Sequence, residues 1–137
     1  MSASLALQKA IRTRLVGTPA VVALVPASSI LDRNARPAPD PSIILGEDQE
    51  LDADRIARDV VRIYSTLHVW KKEQGLVGVK AIAGAVRSAL QNGRLEMDAG
   101  FHCGDCVVTS TRFLRDPDGE TAHGVLTVEA LVREAQS

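Results

Sequence analysis

Apolar positions recur every three or four residues near the N-terminus. Leu7, Ile11 and Leu15 fall at i, i+4 and i+8 with Leu5 nearby, while Lys9, Arg12 and Arg14 lie largely outside that stripe. This spacing predicts a helix over residues 3–16. Gly17-Thr18-Pro19 stops it, because glycine suits a helix end and proline does not continue one. A short helical turn over 20–24 follows. Residues 27–42 then hold Pro37, Pro39 and Pro41 and read as an ordered loop.

Further on the period changes to two. Residues 42–46 (SIILG) predict a short buried strand, and 60–70 (VVRIYSTLHVW) give the strongest strand signal in the chain. In the latter, Val61, Ile63, Ser65, Leu67 and Val69 share one face, and Arg62, Tyr64, Thr66, His68 and Trp70 the other. Residues 47–59 between them read as a charged loop. Residues 71–75 turn the chain into a second helix over 76–91. There Val79, Ile82, Val86 and Leu90 make the buried stripe, and Ala81, Ala83, Gly84, Ala85 and Ala89 keep the helix slim enough to lie close on a sheet.

Asn92-Gly93 ends that helix. A short strand over 94–97 and a longer one over 100–114 are expected next, the latter with Val107, Thr109, Thr111 and Phe113 alternating. Asp116-Pro117-Asp118-Gly119 is a turn, and 121–133 returns as the last strand with Leu126, Val128 and Val132 on one face. The expected fold is α+β, an antiparallel sheet of about four to five strands with two helices packed on one face. Residues 1–137 are expected to form a single domain.

Composition narrows the function. The chain has 137 residues, 45% hydrophobic, with 16 Lys plus Arg against 17 Asp plus Glu and a net charge of −1. Dedicated nucleic-acid binders neutralise many phosphates, so this balance argues against that class while leaving room for DNA passing nearby. No apolar run reaches the length that spans a bilayer, and the N-terminus lacks the order of a secretion signal, so the expected place of synthesis and assembly is the cytoplasm.

Chemistry is sparse. Gly75, Gly78 and Gly84 do not form a dinucleotide fingerprint, and neither a phosphate loop nor a nucleophile elbow is present. Ser65, His68 and Asp105 are a trio of triad type, but triads are recognised by geometry rather than composition. His68 reads better as a cross-strand hydrogen-bonding residue. Cys103 and Cys106 make the sole C-x-x-C, without the second ligand pair a zinc site needs. Cys106 opens a strand-like run, where residues three apart point to opposite faces, so two unpaired thiols are expected. No enzyme, metal or cofactor is inferred.

Several stretches in order resemble the small tail-completion, or tail-terminator, proteins of long-tailed phages and of gene transfer agents derived from them. They are LQKAIRTRL, ILDR, PSIILGED, STLHVW, VKAIAGAVRSAL and RFLRDPDGETAHGVLTVEALVRE, which together cover nearly the whole chain. The C-x-x-C pair departs from the pattern. The resemblance implies a non-enzymatic virion protein, assembled in the bacterial cytoplasm into a homo-oligomeric ring, with six copies the expected number. It implies a place between the tail-tube protein and the head-side connector or adaptor, with DNA as passing cargo and no membrane. Another head–tail joining protein of the same particle is the nearest alternative, and a small ligand-binding domain the more distant one.

Charge is uneven along the chain. Residues 1–36 carry Lys9, Arg12, Arg14, Arg33 and Arg36 against Asp32, a balance of +4. Residues 47–59 carry Glu47, Asp48, Glu50, Asp52, Asp54 and Asp59 against Arg55 and Arg58, a balance of −4. A head-to-tail ring needs two complementary patches on each subunit. Glu50, Asp52, Asp54, Arg55 and Arg58 are therefore candidate interface residues, facing either Lys9, Arg12 and Arg14 of the next subunit or the tail tube; a solvated loop is the plainer reading. The excess length of the loop suggests an arm ordered on assembly. Trp70 is a candidate contact anchor or a lid on the core.

Overall fold

The computed structural model describes residues 2–35, 37–53 and 59–134. Helix α1 spans Ala3–Val16, and the Ser2 hydroxyl caps it by accepting from the Leu5 N–H at 3.1 Å. It buries Ala3, Ala6, Leu7, Ala10, Ile11 and Leu15, whereas Leu5 lies outside the stripe and is 43% exposed. A one-turn helix α2 (Pro19–Val22) and a 3-10 turn (Ala27–Ser29) lead into strand β1, Ile30–Leu31. The expected loop thus contains a two-residue strand. Ile30 is fully buried, and the pair aligns in parallel with Ile43 and Ile44.

Strand β2 runs Ser42–Asp52, twice the expected length, and pairs antiparallel with β3, Val60–Lys72. Residues 47–52 are therefore strand and not loop. Their side chains are exposed and, Leu51 apart, polar, so alternation is lost, but the backbone still closes a ladder in which Asp48 faces Ser65 and Asp52 faces Val61. Backbone pairing wins over composition here. A bulge between Leu45 and Asp48 accommodates the change in surroundings.

Helix α3 spans Val77–Gln91 and buries Val79, Ile82, Ala83, Val86, Ala89 and Leu90. Strands β4 (Phe101–Arg115) and β5 (Thr121–Glu134) form the closing hairpin. Its turn is closed by the Gly119 N–H donating to the Asp116 carbonyl, with Gly119 at φ +73°, a conformation that favours glycine. The Asp118 carboxylate accepts from the backbone of Glu120 and Thr121 and is thereby held below its ordinary pKa.

Residues 94–97 do not form the expected strand. Leu95 is buried, but the Arg94 carbonyl accepts from Arg14 instead of joining a ladder. The sheet order is β1-β2-β3-β5-β4, with β1 alone parallel to its neighbour. Both α1 and α3 pack on one face, and the core lies between them and Ile63, Leu67, Val69, Leu126, Val128 and Val132.

Two bulges in β4, between Cys103 and Asp105 and between Val108 and Ser110, reset its alternation. Val107 consequently faces away from Thr111 and Phe113, against the simple alternation expected. Cys103 stands opposite Val132 and Cys106 opposite Ala130, two buried residues of one face. Both thiols therefore point to the helix side, a correction to the opposite-face reading, which held only for an unbroken strand.

Candidate assembly interface

Charged side chains in this fold are organised first by helix ends. At the N-terminus of α1, the Ser4 N–H donates to Glu50 Oε1 at 3.0 Å and the Ser4 hydroxyl to Asp48 Oδ2 at 2.7 Å. At the N-terminus of α3, the Glu73 carboxylate accepts from the Gly78 and Val79 N–H groups at 3.0 and 3.2 Å. At its C-terminus, the Arg14 guanidinium donates to the carbonyls of Ala89, Asn92 and Arg94 at 2.8, 2.9 and 3.0 Å. Anions at the start and a cation at the end match the helix dipole. The Ser4 and Arg14 partnerships were not visible as sequence motifs, because they join residues far apart in the chain, whereas Glu73 lies only five and six residues before the N–H groups it accepts from.

The candidate interface residues are accordingly dispersed. Lys9 pairs with Asp98 at 3.2 Å, Arg12 donates to the Ile30 carbonyl at 3.0 Å, and Arg14 closes α3. Glu50 serves α1, and Asp52 ends β2 and is exposed. Asp54, Arg55 and Arg58 lie outside the described residues. Much of the basic N-terminal region is thus engaged within its own chain.

Trp70 lies on the sheet face away from the helices and therefore does not cap the core. Its ring stacks on His123 at 3.7 Å between centroids and 8° between planes. His123 Nε2 and His68 Nδ1 are 2.8 Å apart, and His68 Nε2 is 3.5 Å from Glu47 Oε2. The cross-strand hydrogen bond expected of His68 is present. Gly46 makes room for it, since a Cβ there would stand 2.8 Å from the His68 ring.

Burial, the His68 charge and the Arg112 charge push the His123 pKa down from 6.5 to about 4. The unfolded chain then binds a proton near pH 6.5 that the folded chain refuses until about pH 4. Stability is expected to fall as pH drops through that window, and His123→Gln to flatten the slope in thermal melts at pH 4 to 7. An unchanged slope would assign the acid sensitivity elsewhere.

Cys103 and Cys106 are free thiols, as the sequence reading had them. Burial raises both pKa values, that of Cys106 to about 12 with help from Cys103 and Asp105. Thiols held protonated in this way are poor nucleophiles and poor metal ligands.

The sheet ends in two unlike edges. β1 covers β2 only at Ile43 and Ile44, so the acidic stretch beyond Leu45 has no strand on its outer side among the described residues. The other edge is β4, bordered by a cleft of about 410 Å³ against α3, lined by Lys80, Ala83, Gly84, Arg87, Thr111 and Phe113. An α+β building block with charged, unequal edges is a structural subunit in form.

The comparisons agree with that class. The profile of the family described as tail completion protein gp17 matches residues 9–133, and the chain belongs to this family. It is a structural tail protein of phage-type particles and not an enzyme. The fold is shared with a chain in a structure titled virion of native gene transfer agent (GTA) particle, at TM-score 0.84 and 21% identity, covering 96% of this chain and 98% of that one. It is also shared with the gp17 protein of bacteriophage SPP1, at TM-score 0.62 and 21% identity, covering 98% and 94%. No curated protein matches the chain by sequence.

Proposed function

We propose that the protein terminates a tail tube by closing over its head-side end as a ring of identical copies, six in number, on which the head-side connector docks. DNA passes through the central hole. The observation that carries this reading is the family match across residues 9–133, which runs through every main element of the fold. The likeness to a chain of a gene transfer agent virion supports a place in the neck of such a particle. Two unlike sheet edges suit head-to-tail closure, where one patch meets a different patch on the next copy. A net charge of −1 suits a passage that must not retain its cargo.

Negative-stain microscopy of the purified protein with its tail-tube subunit, alongside its mass in solution, tests the reading. Free rings or caps at one end of tubes, with tube growth arrested, are expected. Tubes that keep growing beside a protein that never touches them would overturn it.

A further inference from the structure

The acidic part of β2 has no strand on its outer side among the described residues and carries Glu47, Asp48, Glu50 and Asp52 with no cation between residues 45 and 52. Asp48, Glu50 and Asp52 stand opposite Ser65, Ile63 and Val61 of β3. Ser65 and Ile63 are buried under the helices, so this row of acids lies on the helix side of the sheet. At the opposite edge, residues 77–94 carry Lys80, Arg87 and Arg94 and no acid. The cleft between α3 and β4 lies on that same helix side, with Lys80 5.5 Å above the Phe113 ring and Arg87 further along. It continues toward Arg94, Cys103 and Cys106 as a second depression of about 340 Å³.

When two sheets join edge to edge with their helices on one side, rows on the helix side meet each other. Asp52, beyond the two acids that Ser4 of α1 engages, then falls alongside the cations of α3. Gly84, in mid-helix on the cleft, points the same way. Glycine there costs a helix roughly 0.5–1 kcal/mol relative to alanine, and nothing within 4 Å of its Cβ position in this chain requires it. A neighbour approaching closely would give the missing side chain a use.

We propose that the cleft between α3 and β4 receives the acidic open edge of β2 from a second copy of this chain. The inference rests on the ring reading and names the surfaces that close the ring. Charge along the cleft then selects the partner.

A charge swap tests it. Asp52→Lys and Arg87→Glu should each raise the concentration needed for assembly by about tenfold or more, as expected for reversing an interface charge. The double variant restores opposite signs and should recover most of the loss. Gly84→Trp should keep the circular dichroism and melting of the folded chain yet fail to assemble. Single variants that assemble like the wild type, or a double variant no better than either single, overturn the pairing. If the wild type and all of these variants cap tubes alike, the ring reading stands and only this contact is lost. If the wild type neither assembles nor touches tubes, both fall.

Discussion

Leu126→Ala is expected to lower the unfolding free energy by about 3 kcal/mol, because large-to-small changes at fully buried leucines remove apolar contact and leave a cavity. Leu126 has no exposed surface and sits in the middle of the sheet, opposite Leu67 on β3 and Thr111 on β4. Rigid strands flank it on both sides, which limits how far the site can collapse around the missing atoms. Urea denaturation should show a lower midpoint with an unchanged slope. The contrast is Leu51→Ala, which removes the same atoms from a side chain that is 43% exposed and should change stability by under about 0.5 kcal/mol. Equal losses at the two sites would mean that the Leu51 edge is packed in solution.

Arg14→Ala should cost about 2 kcal/mol, in the range of hydrogen bonds made by charged groups. One guanidinium satisfies carbonyls at the last turn of α3 and in the segment after it. Without it, the last turn of α3 keeps unpaired carbonyls, and the tie between α1 and residues 92–94 is lost. The planar, multi-donor shape matters as much as the charge, so Arg14→Lys should recover less than half of the loss. Hydrogen exchange would localise the effect as faster opening of residues 88–95 ahead of the rest of α3. Full rescue by lysine would reduce the role of Arg14 to a point charge at the helix end.

Much of the fold could be read from spacing alone, because α1, α3, β3 and β5 each bury one face. Leu7, Ile11 and Leu15, or Ile63, Leu67 and Val69, repeat at the period of their element. The outer half of β2 was hidden for the opposite reason. Its side chains are exposed and, Leu51 apart, polar, so its strand character resides in the backbone ladder to β3. The faces of β4 were misread because a bulge shifts alternation by one residue, although Gly104 inside the strand is the kind of residue that marks one. The acidic and basic segments were visible as charge, but the candidate interface residues Arg14 and Glu50, and Asp48 beside them, serve helix ends. That use depends on which termini the topology brings near, and composition carries no such information.

The shortest element of the sheet has a consequence beyond its size. Ile30 and Leu31 already occupy the ladder positions beside Ile43 and Ile44. Any strand added to that edge can begin no earlier than Leu45. A slip of one residue would turn every side chain of an added strand to the wrong side. Two residues therefore act as a doorstop, setting where a newcomer halts and which of its side chains meet the acids.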